Sequence, residues 1–185
     1  MKKKLVIIDF QTDFCDTKVG ALASAHAEAA CDRFVPYLKE HYKEYDQIIY
    51  TLDTHYVDTY MDTVEGKNLP VYHCIKGTFG HELRKDLKAV VAEIKNAGHN
   101  IMGVEKSSFG RPDWNNIMPL GYERDTQVDI VGCATDICVI SNATVIKAYY
   151  PNATINILKD YCGGITEEDH NRALEAMKRI HINIV

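Results

Sequence analysis

The sequence lacks a long apolar segment and any concentration of proline or glycine. Its first apolar run, residues 5–8, ends at Asp9, which is too short for a signal-peptide core or a membrane span. Only 5 prolines and 11 glycines occur among 185 residues, and this composition excludes collagen-like and low-complexity disordered classes. We therefore expect a soluble, cytoplasmic protein with no membrane partner.

The chain also lacks a surplus of positive charge and any paired-cysteine motif. Its formal net charge is -5 and its lysines are scattered, so there is no basic stripe of the kind that binds phosphates in nucleic acids. The six cysteines include no C-x-x-C pair, and without a secretion signal we expect them to be reduced. A nucleic-acid partner and a disulfide framework are both disfavoured.

What the chain does contain is a regular alternation of short β-branched runs with longer amphipathic segments, which is typical of βαβ units and a parallel sheet. A length of 185 residues suffices for a three-layer core, and no linker or composition shift divides the chain. We expect an α/β fold in one domain spanning residues 1–185. The six predicted strands are residues 5–8, 47–52, 100–104, 128–131, 154–158 and 182–185.

Apolar spacing predicts helices between these strands. One helix ends before Gly98, a residue suited to a left-handed cap, and its apolar stripe comprises Leu83, Leu87, Val90, Val91 and Ile94. A second is capped by Thr166, and its stripe comprises Ala173, Leu174, Met177 and Ile180. A helix over residues 23–45 contains Pro36, which removes a backbone donor and should kink or split it.

Chemistry-bearing residues are expected where parallel strands end, because ligands bind beyond the carboxyl ends of the strands in such sheets. Asp9, Asp53, Lys106 and Ala134 all occupy such positions. Residues 53–80 form a long segment of weak periodicity, and long irregular segments in compact domains tend to be functional. We expect this segment to line a site.

Cys138 is the candidate nucleophile. It follows a strand and a Gly-containing turn and falls in the first turn of a helix predicted to begin near Asp136, where backbone N–H groups favour a thiolate and can stabilise an oxyanion. The alternative is a buried cysteine that only packs the helix on the sheet. Lys106 beside a thiolate would lower its pKa, and Asp9 could accept the thiol proton. The three residues together form a coherent catalytic site.

These segments resemble the isochorismatase-like cysteine hydrolases. The resemblance is carried by Ile7-Ile-Asp-Phe-Gln-Thr-Asp-Phe14, by Lys106 and by Gly132-Cys-Ala-Thr-Asp-Ile-Cys138, in that order, and it extends to Lys159-Asp-Tyr-Cys-Gly-Gly164. It implies a three-layer sandwich with a six-stranded parallel sheet and an Asp9, Lys106, Cys138 triad. It also implies a cis peptide before Ala134, with the backbone N–H groups of Ala134 and Cys138 forming the oxyanion hole.

A candidate metal site lies in the irregular segment. Asp53 and His55 are two residues apart at a strand end, so their side chains point the same way, and His73 follows. An aspartate with two histidines suits zinc, iron or manganese, although most D-x-H pairs bind nothing. Within the resembled family, the nicotinamidase/pyrazinamidase branch has such a site. That resemblance implies a divalent ion, zinc first, with Glu65 as an additional ligand or else a solvated loop carboxylate.

The resemblance to this branch implies hydrolysis of nicotinamide to nicotinate and ammonia through a thioester on Cys138. It implies that Phe14 and Leu69 pack against the substrate ring, although each could equally be an ordinary core residue. It further implies a homo-oligomer. Trp114 is expected either at the pocket rim or packed in a loop.

Departures from the branch pattern keep other activities open. Thr54 and Tyr56 replace the usual aromatic and proline around His55, and the segment after Lys106 is compressed to residues 107–111; both segments are expected to border the substrate pocket. A related enzyme acting on another small amide, carbamoyl or ureido compound is therefore an alternative, as is a non-catalytic metabolite-binding member. A thiol redox protein using Cys133 and Cys138 is disfavoured, because their spacing matches no exchange motif.

Overall fold

The computed structural model describes residues 1–119 and 123–185, and in this part of the chain it contains one six-stranded sheet. All of the strand pairs are parallel, and the strand order is β3-β2-β1-β4-β5-β6. The strands are β1 (Lys2–Ile8), β2 (Gln47–Asp53), β3 (Ile101–Lys106), β4 (Thr126–Cys133), β5 (Thr154–Gly163) and β6 (Asn183–Ile184). The predicted six-stranded parallel sheet is confirmed.

Helices cover both faces of this sheet. They are α1 (Thr12–Cys15), α2 (Ala25–His41), α3 (Val64–Asn68), α4 (Lys85–Asn96), α5 (Trp114–Ile117), α6 (Ile140–Tyr149) and α7 (Glu167–Arg179), with a π-helical turn over Thr135–Val139 and short 3₁₀ turns at Tyr42–Glu44, Tyr60–Asp62 and Glu123–Asp125. None of the helices in the described residues is long and apolar enough to cross a membrane.

Successive side chains of β1 point alternately into two different cores, which is why the fold has three layers. Leu5 and Ile7 pack into a core shared with α2 and α4, whereas Val6 and Ile8 pack into a second core shared with α6 and α7. Successive strand residues point to opposite faces, so a strand buried on both faces is apolar throughout. The predicted three-layer α/β sandwich is thus confirmed.

The helix predictions hold with three corrections. Leu83 is buried but lies two residues before α4, where it forms an isolated bridge with Gln11, so it is not part of the helical stripe. Thr166 caps α7 by accepting a hydrogen bond from the Asp169 backbone N–H, and Gly98 follows α4 with a φ of 79°. Pro36, however, does not split α2, because it lies on the exposed face, where water can satisfy the carbonyl that the proline leaves unpaired. Ile180 falls after the last residue of α7 and is 39% exposed, so its predicted place in the buried stripe is wrong.

Candidate active site and metal-binding cluster

Asp9, Lys106 and Cys138 meet at the carboxyl edge of the sheet. Asp9 follows β1, Lys106 is the last residue of β3, and Cys138 lies in the π-helical turn after β4. The Lys106 Nζ is 2.8 Å from Asp9 Oδ2 and 3.6 Å from Cys138 Sγ. All three side chains are buried. The structure therefore brings the three predicted residues into mutual contact.

Asp9 is held in place by its backbone and by a neighbouring strand. Its φ is 49°, a left-handed conformation that aspartate adopts more readily than most residues. Thr51 on β2 donates from Oγ1 to Asp9 Oδ1 at 2.6 Å, and the Asp9 backbone N–H donates to the same hydroxyl at 3.1 Å. This leaves Asp9 Oδ2 directed at Lys106.

Burial and charge act against each other within this group. Burial raises the pKa of Asp9 and Lys106 opposes that rise. Burial would lower the pKa of Lys106, but Asp9, Cys138 and Asp53 together raise it well above its usual value. Burial and then Asp9 raise the pKa of Cys138 well above that of a free thiol, and the opposing effect of Lys106 is smaller. The net effect on the Cys138 pKa favours the thiol, whereas the sequence predicts a thiolate. A base must therefore accept the Cys138 proton before the sulfur can react.

The loop before Cys138 has the backbone that the resemblance implies. The Cys133–Ala134 peptide is cis, and Gly132 has a φ of 135°. A Cβ on Gly132 would lie 2.1 Å from the backbone oxygen of Ile8, so glycine is required for β4 to approach β1 this closely. Ala134 and Cys138 line the same cavity.

Four potential metal donors surround one point beside this group. Asp53, His55, Glu65 and His73 each offer one atom, and these atoms all lie within 4.8 Å of one another. Asp53 Oδ2 is 2.9 Å from His55 Nε2 and 3.7 Å from His73 Nε2, and Glu65 Oε1 is 3.6 Å and 3.4 Å from the same nitrogens. Tetrahedral zinc with bonds of about 2.0–2.1 Å requires donors about 3.3 Å apart. The four residues therefore fit a divalent ion, and Glu65 is part of the cluster rather than an isolated loop carboxylate.

Two hydrogen-bonding arrangements orient this cluster. The His73 Nδ1 lies 2.9 Å from the carbonyl of Val71, which can only accept, so Nδ1 carries a proton and Nε2 is the nitrogen directed at the cluster. The buried Gln11 side chain donates to the carbonyl of Asp53 at 2.9 Å and accepts from its backbone N–H at 2.7 Å. These contacts orient His73 and Asp53 within the cluster.

A cavity of about 480 Å³ opens onto both groups. Its lining includes the predicted substrate contacts Phe14 and Leu69; the Phe14 ring lies 5.6 Å from the His73 ring, and Leu69 is 37% exposed at the mouth. Asp53, Glu65 and His73 also line it, as expected for the irregular segment 53–80. The remaining wall is mostly apolar and includes Leu22, Ala23, Ala27, Phe109, Ile137 and Ile165.

Three sequence expectations about the pocket surroundings need correction or resolution. Phe109, in the compressed segment after Lys106, does line the cavity, whereas Thr54 and Tyr56 are not part of its described lining. The Thr54 hydroxyl pairs instead with Leu52 and His81. Trp114 is fully buried in the core and donates to Asn142, so it is a packing residue and not a rim residue.

Comparison with known proteins decides the family. The model of the isochorismatase domain family matches residues 3–184. The chain belongs to the isochorismatase domain family. The chain is similar to a curated relative, the nicotinamidase/pyrazinamidase of Mycobacterium tuberculosis. The two are 28% identical over an alignment of 192 residues, gaps included, that covers 99% of this chain and 98% of that protein.

Solved structures give the same relationship for the isochorismatase domain. A nicotinamidase/pyrazinamidase from Bacillus subtilis superposes with a TM-score of 0.83 at 28% identity and covers 100% of both chains. A pyrazinamidase from Pyrococcus horikoshii, solved in complex with zinc, superposes with a TM-score of 0.73 at 25% identity, covering 100% of this chain and 99% of that one.

The sequence did not single out Thr51 or Gln11, which hold Asp9 and Asp53. Thr51 lies two residues before Asp53 on β2, so the strand period alone could have placed it on the same side as Asp53. Gln11 gave no comparable signal, because its contacts are to the backbone of distant residues.

Proposed function

We propose that this chain is a metal-containing cysteine amidohydrolase that converts nicotinamide and water to nicotinate and ammonia. One observation carries the proposal: a single, mostly apolar cavity is lined both by Cys138 and by three of the four potential metal donors, namely Asp53, Glu65 and His73. Lys106 contacts both Cys138 and Asp9. The relatives named nicotinamidase or pyrazinamidase, which match over nearly the whole chain, support this substrate class.

The catalytic steps follow from the contacts of the three residues. Asp9 takes the proton of Cys138, and Lys106, which contacts both, stabilises the negative charge as it moves between them. The Cys138 sulfur then attacks the amide carbon. The backbone N–H groups of Ala134 and Cys138 hold the oxyanion, Asp9 returns its proton to the leaving ammonia, and a thioester remains. Asp9 next activates a water molecule that hydrolyses the thioester.

Asp53, His55, Glu65 and His73 would hold a divalent ion. Zinc is favoured over iron or manganese because the similar pyrazinamidase from Pyrococcus horikoshii was solved in complex with zinc. When bound, that ion would coordinate the pyridine nitrogen and so orient the ring. Phe14, which packs on His73, and Leu69 at the mouth would contact the ring faces. The mostly apolar wall favours an uncharged ring amide, because a charged substrate packed against it would be poorly solvated.

The assembly and setting of the enzyme are part of the same proposal. We infer one domain over residues 1–185, a homo-oligomer and a cytoplasmic location. Light scattering on the purified protein tests the assembly, and a monomeric mass would refute it.

The proposed activity is tested by ammonia release from nicotinamide, with pyrazinamide and a ureido amide measured alongside. We expect rapid release from nicotinamide that is lost with a chelator and restored by zinc. Turnover of only the ureido amide would retain the Cys138 chemistry and refute the substrate. An absence of turnover with every amide, together with slow and unselective labelling of Cys138 by an electrophile, would favour a non-catalytic binding protein.

A further inference from the structure

Asp13, on α1, is a buried carboxylate that no step of the proposed mechanism uses. It is 7% exposed, and within residues 1–119 and 123–185 no ion pair joins it to a cation. Its two oxygens accept hydrogen bonds from separate backbone segments: Oδ2 from the Cys74 N–H at 2.7 Å and Oδ1 from the Ala21 N–H at 3.0 Å. Hydrogen bonds to a carboxylate are among the stronger ones in proteins.

Cys74 is the residue directly after the metal-cluster residue His73, and its backbone is unusual. Its φ is 46°, a left-handed conformation that costs a non-glycine residue free energy unless its surroundings impose it. The Asp13 carboxylate holds its N–H, and its carbonyl accepts from the His55 N–H at 3.0 Å. Asp13 thereby holds a residue that follows His73 directly and is hydrogen-bonded to the backbone of His55.

The second contact of Asp13 leads to another part of the cavity lining. Its Oδ1 holds Ala21, and its carbonyl accepts from the Leu22 N–H at 3.0 Å. Leu22 and Ala23 line the apolar wall. A Cβ on Gly80 would lie 2.2 Å from Asp13 Oδ2, so glycine at that position leaves space for the carboxylate.

We propose that Asp13 is a positioning residue that ties the wall at residues 21–23 to the metal-cluster segment at residues 73–74. This inference rests on the proposed metal site, since positioning His73 is its main consequence. Residues that orient metal ligands change metal affinity by about 10–100-fold when removed. Removing Asp13 should therefore weaken metal binding even in molecules that stay fully folded.

The test is the zinc affinity of purified Asp13→Ala, measured by competition with a chromophoric chelator well below its unfolding midpoint. We expect zinc to bind at least about tenfold more weakly than to the wild type. Asp16→Ala is the matched control, because Asp16 is a neighbouring acid whose carboxylate accepts only from the nearby Lys18 N–H in the described contacts; its zinc affinity should be unchanged. His73→Ala supplies the reference for loss of a donor.

A second substitution separates positioning from general damage. Glycine adopts a left-handed φ without strain, so Cys74→Gly should recover part of the zinc affinity lost in Asp13→Ala, and the two changes should be non-additive. Strictly additive losses would overturn the proposed role, as would a folded Asp13→Ala that binds zinc like the wild type.

The outcomes remain distinct from those of the proposed function. A wild-type protein that binds no zinc would overturn the metal site and this role of Asp13 together, whereas equal affinities in wild type and Asp13→Ala would overturn only the latter. If Asp13→Ala does not fold, Asp13→Asn replaces it. Its amide must set an NH₂ against one of the two N–H donors, so either zinc affinity should fall or the KM for the amide should rise. Retention of both values would refute the proposal.

Discussion

The carboxylate of Asp53 lies 3.0 Å from the Nζ of Lys106, while its other oxygen lies 2.9 Å from the Nε2 of His55. One side chain therefore belongs both to the catalytic group and to the metal cluster. Lys106 in turn contacts two buried carboxylates, Asp9 and Asp53, and the Cys138 sulfur. The positive charge of Lys106 is the common element on which all of these groups depend.

Replacing Lys106 by methionine keeps the side-chain volume and removes that charge. Asp9 would then be buried without its cation, and Asp53 would keep only its contacts to the histidines. Breaking a buried pair in this way costs about 3–5 kcal/mol. We expect the free energy of unfolding to fall by that amount when it is measured in urea with a chelator present, so that no metal ion is bound. Lys76→Met is the control: Lys76 pairs with Glu105 at the exposed surface, where water screens the pair, so its loss should leave the unfolding midpoint nearly unchanged.

Cys138→Ala should abolish ammonia release while leaving the fold intact. Cysteine and alanine differ by one sulfur, so we expect a packing loss of only about 1 kcal/mol in thermal or urea unfolding. Cys162→Ala removes a similarly buried thiol that is not part of the described cavity lining, and it should keep its activity at a similar cost in stability. Measurable turnover by Cys138→Ala would refute the thioester mechanism.

Gly132→Ala should destabilise the protein far more than Gly98→Ala. Both glycines have positive φ, at 135° and 79°, but a Cβ on Gly132 would collide with the Ile8 backbone, whereas a Cβ on Gly98 meets nothing within 4 Å. Conformational strain alone should cost Gly98→Ala about 1 kcal/mol. Strain and steric overlap together should cost Gly132→Ala about 3 kcal/mol or more. Equal unfolding midpoints for the two variants would contradict this account.

His170 should make stability fall as the pH is lowered below neutral. Burial lowers the pKa of His170 from its usual 6.5, and His26 and Arg33 act in the same direction against Asp136 and Glu167. The neutral ring is therefore favoured in the folded protein. Its contribution to stability is fully present above pH 6.5 and is lost as the pH falls through the lowered folded value.

His170→Gln provides the measurement for this pH dependence. A glutamine can still hydrogen-bond the Thr135 hydroxyl, which lies 2.8 Å from His170 Nδ1, but it does not titrate. We expect urea unfolding between about pH 5 and pH 7.5 to show a shallower slope with pH in the variant. Identical slopes would show that His170 does not contribute.

The sequence was most informative where chemistry coincides with a strand end. Asp9, Asp53 and Lys106 each follow or end an apolar run, and a parallel sheet brings such ends to one edge, so their proximity could be predicted before any coordinates. Thr51, Gln11 and Asp13 were not found, because they act through hydrogen bonds to residues far along the chain. The left-handed backbone of Cys74, which Asp13 holds, could not be predicted either, because cysteine is not a residue type that favours this conformation.

The cavity walls show the same limit. Ile165 lies in an irregular segment without periodicity, so nothing in its spacing places it at the cavity. Phe109 was expected near the pocket only through the family resemblance of residues 107–111, and its spacing adds no such signal. Pro36 shows a different limit: a proline breaks a helix only where the unpaired carbonyl is costly, and that depends on which face is exposed. Residue type alone does not contain this information.

The two groups differ in how far along the chain their members lie. All four metal donors lie between residues 53 and 73, whereas the catalytic group requires residues 9, 106 and 138 to meet across β3, β2, β1 and β4. Closing the shorter loop costs less entropy, yet the backbones of Asp53 and Cys74 are held by Gln11 and Asp13. The metal cluster therefore depends on the same long-range assembly of the sheet as the nucleophile, although its own residues are close together in the sequence.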